Sequence, residues 1–215
     1  MPRAFANRQE AGQRLAEQLD QYNGRPDVIV LGLPRGGVPV AYEIAKRLHV
    51  LLDVFIVRKI GVPGFEELAV GAIASGGVRV LNEDVVRQLP NAAEIIDAAT
   101  AREQIELDRR EKLYRDDRPP PDVQNKVAIL VDDGLATGAT MRAAVRALRQ
   151  RGASRIVVAV PVGAPETCRE LEAEVDETIC AISPEYFQAV GQFYDDFGQT
   201  SDEEVRALLD RARLT

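Results

Sequence analysis

Two adjacent carboxylates, Asp132 and Asp133, close the all-apolar run Val127-Ala128-Ile129-Leu130-Val131 and are followed by Gly134-Leu135-Ala136-Thr137-Gly138-Ala139-Thr140. The order reads as a buried strand, two acids, a small-residue loop and a helix over 138–151. Such a strand ends at the edge of a parallel sheet, so its acids are presented to a ligand. Loop residues Ala136, Thr137, Gly138, Ala139 and Thr140 can bring backbone N–H groups to an anion, and the helix behind them adds its positive dipole end. Carboxylates for sugar hydroxyls beside amides for a phosphate suit a ribose phosphate. One Asp could simply cap the helix, but a cap needs one acid and this strand ends in two. No Lys-Ser/Thr follows the glycine, which excludes a Walker A loop.

Two further stretches carry groups suited to an anion. Leu33-Pro34-Arg35-Gly36-Gly37 follows the apolar strand 27–32 and opens a helix. Its glycines let the backbone approach an anion, and Arg35 neutralises it. A dinucleotide fingerprint would need another glycine spacing and an acid at the end of the second strand. That strand, 52–57, ends in Arg58-Lys59 instead. The stretch Arg58-Lys59-Ile60-Gly61-Val62-Pro63-Gly64-Phe65 reads as a loop with glycine hinges, able to close over a ligand and exclude water. The plainer reading is a surface loop with a solvated lysine.

Together these stretches resemble the type I phosphoribosyltransferases, which bind phosphoribosyl pyrophosphate (PRPP). The whole chain resembles a bacterial group of predicted members of that family. Gly134 departs from the family pattern, where an apolar residue is usual. The resemblance implies roles for these positions: Asp132 and Asp133 hold the ribose hydroxyls and, through PRPP, a Mg²⁺ ion. Residues Ala136 to Thr140 hold the 5′-phosphate, and Arg35, Gly36, Gly37 and Arg58 attend the pyrophosphate. Lys59 belongs to the mobile catalytic loop, so Asp132, Asp133 and Lys59 are the expected catalytic groups. The implied reaction moves phosphoribosyl from Mg-PRPP to a small acceptor and releases pyrophosphate.

A 6-oxopurine is a poor acceptor candidate, because the family's phosphate-loop acid is replaced by Ala136 and the strand 155–160 carries no lysine at its end. Orotate, another carboxylate or an amine stays open. Tyr186, Phe193 and Tyr194 are the expected acceptor-pocket aromatics, with core packing the competing reading. The alternative function is a PRPP sensor on the same fold that binds without turnover. A different nucleotide-binding α/β protein is the third reading.

The elements that must position these groups follow from periodicity. Apolar strands at 27–32, 52–57, 126–131, 155–160 and 177–182 alternate with helices at 38–48, 138–151 and 165–173. That pattern predicts an α/β fold, a three-layer parallel sheet flanked by helices. Residues 69–74 and 77–81 read as a hairpin around Ser75-Gly76-Gly77. The division is one domain over 1–215, with a core at 27–81 and 123–182, a helical insertion at 82–122, and a hood from 1–26 and 183–215. The insertion shows a thin apolar stripe (Ile95, Ala99, Ile105, Leu113), which reads as a solvated helix or a dimerisation arm. A homodimer is the corresponding expectation.

Composition narrows the class. The 215 residues carry a formal net charge of −7 and 5% aromatics without Trp, which argues against nucleic acid as a partner. Neither a signal peptide nor a membrane span is read from the chain, so a cytoplasmic protein is expected. Cys168 and Cys180 read as buried small hydrophobes in a reducing compartment rather than as a disulfide. His49, the single histidine, is expected at a helix end in a capping or solvent role.

Overall fold

The computed structural model describes residues 4–62, 65–116 and 118–214, with residues 62 and 65–69 as backbone alone. In chain order its elements are α1 (Arg8–Ala16), β1 (Val28–Gly32), α2 (Gly37–Leu48), β2 (Leu51–Val54), β3 (Val57–Val62), β4 (Phe65–Ala74) and β5 (Val78–Leu81). The single turn α3 (Glu83–Val86) and the long α4 (Ala92–Arg115) follow. Then come β6 (Val127–Val131), α5 (Ala139–Gln150), β7 (Arg155–Val162), α6 (Pro165–Glu172), β8 (Glu177–Ile182) and α7 (Asp202–Arg213).

Five strands form a parallel sheet in the order β2-β1-β6-β7-β8. Successive side chains of a strand point to opposite faces, and here both faces are covered. Ile29, Leu31, Ala128, Leu130 and Val158 pack with Ala144 and Leu148 of α5. Val28, Val30, Ile129 and Val131 pack with Ile44 and Leu48 of α2. This two-sided burial is why β1 and β6 contain no polar residue, and it makes the expected three layers. The helix ends are chemically specified as well. Asn7 accepts the Glu10 N–H at 3.0 Å, Glu10 in turn accepts the Ala6 N–H at 2.6 Å, and Ser201 caps α7. His49 ends α2 in the left-handed region (φ 53°), with Nδ1 2.9 Å from the Lys46 carbonyl.

Three expectations change. The stretch from Arg58 is not a loop: β3 and β4 pair antiparallel, and β5 adds to β4 across the Gly76-Gly77 turn. Ile60, Val70 and Ile73 of this ribbon are buried against Ile96, Ala99, Leu107 and Tyr114 of α4. Pairing, rather than glycine hinging, is the better use of that alternating sequence. Pro63 and Gly64, the centre of the expected loop, lie outside the described residues. The insertion is also a packed element rather than a solvated arm. The buried stripe of α4 runs through Ile96, Ala99, Leu107 and Tyr114, whereas Ile105 is 73% exposed. Of the stripe read from the sequence, Ala99 is buried and Leu113 packs against the same core, whereas Ile96 and Leu107 take the places expected for Ile95 and Ile105. Finally, Cys168 and Cys180 are joined in a disulfide. Helix α6 turns back through four residues into β8, which lays the two positions, 12 residues apart, over each other.

The terminal segments divide between two places. Phe5 bridges to Tyr194, and Phe5, Ala11, Phe193 and Tyr194 form a small core with Val162. Helix α7 instead joins the α4 side, through Val205 and Leu209.

Candidate functional site

The acids stand where the parallel sheet opens. Val131 ends β6, and the next residue leaves the layer, with Asp132 Oδ1 accepting the Asp133 N–H at 2.9 Å. Leu135 then bridges to Gly163 at the end of β7, its N–H donating to the Val162 carbonyl at 2.9 Å. This tether turns residues 136–138 outward. Gly138 adopts φ +70°, a conformation glycine takes without the penalty a side chain would bring, and α5 starts at the next residue. Ala136, Thr137 and Ala139 are exposed, so the loop that opens α5 is accessible to solvent, and the first N–H groups of a helix have no intrahelical partner. Arg142 and Thr167 hold this loop from behind. Arg142 donates to the Thr137 carbonyl at 2.8 Å, and Thr167 Oγ1 donates to the Ala136 carbonyl at 2.7 Å.

The Arg35-Gly36-Gly37 turn lies directly against the acids. A Cβ at Gly36 would sit 2.0 Å from Asp133 Oδ2, and one at Gly37 would sit 2.5 Å from the Val131 carbonyl oxygen. The two glycines are therefore required by the close approach of two loops. The Pro34–Arg35 peptide is cis. Arg35 is half-buried; its carbonyl accepts the Val38 N–H at 3.1 Å, while its side chain makes no hydrogen bond or ion pair with another described residue. Gly134, the departure from the family pattern, also has a steric reason. A Cβ there would lie 2.3 Å from Val190 Cγ1, so segment 183–198 occupies the space a larger residue would take.

Electrostatically the pair is frustrated. Burial pushes the Asp132 carboxyl well above the usual range, and the adjacent Asp133 charge pushes it further. Burial also raises Asp133, against the opposing pull of Arg8. Arg8, the first residue of α1, contacts Asp133 Oδ2 through Nε and through its terminal nitrogen, both at 2.8 Å. It also donates to the Gly198 carbonyl at 2.7 Å and lies 4.0 Å from the centre of the Phe197 ring. Sequence reasoning missed Arg8, because nothing local marks a residue 125 positions from its partner. Thr167 was missed for the same reason, its partner Ala136 lying 31 positions away.

The remaining expected residues divide. Lys59 is exposed on β3 and lines a hollow of about 200 Å³ with Ala72, Ala139, Arg142 and Arg146, which places it beside the start of α5. Arg58 points elsewhere, paired with Glu103 of α4 at 2.6 Å. Among the aromatics, Tyr186 is 70% exposed, and Phe193 stacks on Phe187. Tyr194 is buried beneath the acids, its hydroxyl donating to the Asp133 carbonyl at 2.6 Å. Burial raises its pKa, so it stays a donor at neutral pH. Tyr194→Phe strands that carbonyl and is expected to cost about 1–3 kcal/mol in urea unfolding. A loss below about 0.5 kcal/mol would show that the bond does not fix Asp133.

The family described as "Phosphoribosyl transferase domain" matches residues 5–197. The chain belongs to this family. A Mycobacterium tuberculosis protein, named provisionally as a phosphoribosyl transferase, is 50% identical over 208 residues. The match covers 97% of this chain and 47% of that protein, so the chain spans about half the length of this curated relative. A uracil phosphoribosyltransferase of Lactobacillus gasseri is 32% identical over 174 residues, covering 78% of this chain and 80% of that protein. Among solved structures, TT1426 from Thermus thermophilus superposes with a TM-score of 0.86 at 44% identity, covering 95% of this chain and 97% of that one. As a phosphoribosyl transferase domain, the chain presents its paired acids and small-residue loop at the open ends of β6 and α5.

Proposed function

We propose that this domain binds Mg-PRPP and transfers its phosphoribosyl group to a small acceptor, releasing pyrophosphate. One observation carries the reading: two half-buried carboxylates precede an exposed loop at a helix start and lie against a glycine turn whose arginine side chain has no hydrogen-bond or ion-pair partner among the described residues. Asp132 and Asp133 accept hydrogen bonds from the ribose hydroxyls. The amides and hydroxyls of Ala136 to Thr140 take the 5′-phosphate, where the helix end favours negative charge. Arg35, Gly36 and Gly37 attend the pyrophosphate. Arg58, occupied by Glu103, contributes only to positioning the ribbon that carries Lys59.

The donor set fits Mg²⁺, a hard cation bound through carboxylate and phosphate oxygens with several waters retained. The buried pair of acids is also a place where added positive charge lowers the energy. Asp132 and Asp133 would hold the ion together with PRPP, and it would supply charge neutralisation for the leaving pyrophosphate. The protein's own part is orientation and electrostatic stabilisation as positive charge develops at the ribose C1. Water exclusion falls to the β3–β4 ribbon and to segment 183–198.

The acceptor class stays with ligands that need no strong base. Ala136 stands where a 6-oxopurine enzyme has its acid, and the uracil phosphoribosyltransferase relative extends the candidates to pyrimidines. Phe187 and Phe193 are packed together, and Tyr194 is committed to Asp133. Of the three expected pocket aromatics, Tyr186, the exposed ring, is therefore the one left to meet an acceptor. A PRPP sensor is the second reading, supported by Arg8 already filling the role of counter-charge at Asp133. Homodimerisation and a cytoplasmic location accompany the proposal. Among the described residues no helix is long and apolar enough to cross a membrane.

Lys59→Ala separates binding from turnover. If Lys59 acts in the transition state, kcat falls by about 10²-fold or more while PRPP affinity changes less than about threefold. Equal losses in both would make Lys59 an ordinary binding contact. Calorimetric titration with Mg-PRPP tests the site itself: one saturable site per chain is expected, and the absence of any heat or thermal stabilisation would overturn it.

A further inference from the structure

We propose that the Cys168–Cys180 pair is a thiol–disulfide modification site that sets the geometry of the phosphate loop, oxidised for binding and reduced for release. The inference rests on the function proposed above for the ligand of that loop, and on packing alone for the coupling.

The sulfurs form the floor of the loop. A Cβ at Gly163 would lie 2.3 Å from Cys168 Sγ, 3.1 Å from Cys180 Sγ and 3.3 Å from Leu135 Cβ. Gly163 is bridged to Leu135, and the Ala164 N–H donates to the Leu135 carbonyl at 2.8 Å. The loop residues Ala136 to Gly138 follow directly. A second connection runs through the residue beside Cys168: buried Thr167 donates to the Ala136 carbonyl. The disulfide thus clamps α6 to β8, and α6 clamps the phosphate loop.

Reduction would release that clamp. Two thiol sulfurs need more room than a bonded pair, and the Gly163 backbone closes the space above Cys168 Sγ. Separation that moves α6 outward carries Thr167 from Ala136, and separation toward Gly163 lifts the Gly163–Leu135 bridge. Either movement disturbs the amides that face the 5′-phosphate. Access is unequal. Cys168 is 5% exposed, whereas Cys180 lies on the edge strand β8, whose residues are all only partly buried. A small dithiol attacks through its thiolate at Cys180 Sγ, forming a mixed disulfide and expelling the Cys168 thiolate, which takes a proton from water. The second thiol of the reagent then resolves the mixed disulfide, leaving two protein thiols and the oxidised cyclic reagent. The two electrons pass from reagent to protein, and a disulfide oxidant such as oxidised glutathione reverses them.

The test compares wild type after oxidised glutathione with wild type after dithiothreitol, thiols being counted in each. Amide hydrogen exchange over 133–141 is read without ligand, and Mg-PRPP affinity is read by calorimetry. Reduction is expected to expose two thiols, speed exchange over 133–141, and weaken Mg-PRPP binding on the order of tenfold, the effect of one lost hydrogen bond. Cys180→Ser should match the reduced state in exchange and affinity under both conditions. Thr167→Val should reproduce the weaker binding in the oxidised protein. Two thiols that persist after oxidised glutathione would overturn the proposal. So would exchange over 133–141 that is unchanged by reduction, or unaltered affinity in a protein that does bind Mg-PRPP. Faster exchange with no Mg-PRPP binding in either state would uphold the coupling and overturn the assigned ligand instead.

Discussion

Replacing both acids, Asp132→Asn with Asp133→Asn, is expected to abolish Mg-PRPP binding. Each carboxylate offers charge-assisted hydrogen bonds of about 1.5–3 kcal/mol, so losing both weakens binding on the order of 10²–10⁴-fold. The amide retains the shape, and the carboxamide oxygen introduced at position 132 can still accept the backbone N–H of residue 133, so the fold should persist. Stability should even move the other way for Asp132→Asn alone. An acid whose native pKa is raised holds its proton to higher pH than the unfolded chain does. Its contribution to stability is therefore greatest at acidic pH, falls as pH rises from the unfolded carboxylate range toward the raised native value, and stays low above it. Asp132→Asn removes that penalty, so its melting temperature should exceed that of wild type at about pH 7, with the gap closing toward about pH 4. Asp133→Asn should not share the gain, because it leaves Arg8, only 13% exposed, without its carboxylate. Unchanged Mg-PRPP affinity in the double variant would remove the acids from the site. A neutral-pH loss of stability in Asp132→Asn would contradict the account of their burial.

Arg115→Ala is expected to be the most damaging single change to the fold. Its side chain is 1% exposed. Nε meets Asp53 at 3.0 Å, one terminal nitrogen meets Glu111 at 2.9 Å, and the other donates to the Val54 carbonyl. Removal leaves two sparsely solvated carboxylates and a carbonyl without their cation, a loss that costs about 3–5 kcal/mol for a buried pair. Arg115→Lys should recover only part of this, because an ammonium cannot serve three divergent acceptors. The consequence reaches function, since Val54 ends β2 and the chain passes from it to the ribbon that carries Lys59. Arg110→Ala serves as the control on the same helix. Its partner Glu106, held down to about 2 by Arg109 and Arg110, retains Arg109, and the change should stay within about 1 kcal/mol. Urea unfolding measures both. A loss under about 1 kcal/mol for Arg115→Ala would show that the network is replaceable by water.

The legible parts of this molecule are those fixed by short-range pattern. Val127–Val131 reads as a buried parallel strand because no polar residue interrupts it, and the two acids after it stand at its open end. The start of α1 was legible at Asn7 and Glu10, since a cap is a local contact. What sequence did not show depends on distant partners. Arg8 reaches Asp133, Thr167 reaches Ala136, and Cys168 meets Cys180 only once α6 has folded back on β8. The ribbon β3–β4 was hidden by its glycines, which suggest a hinge until the partner strand is known. In α4 the neighbours Ile95 and Ile96 leave two phases open, and only the packing against β3 and β4 selects one.

The central claim is transfer, so its most direct test is pyrophosphate release from Mg-PRPP against pooled pyrimidines, aromatic carboxylates and amines. The account predicts release that depends on one pool and disappears in Asp132→Asn with Asp133→Asn. Saturable Mg-PRPP binding without release from any pool would contradict it and leave the sensor reading in its place.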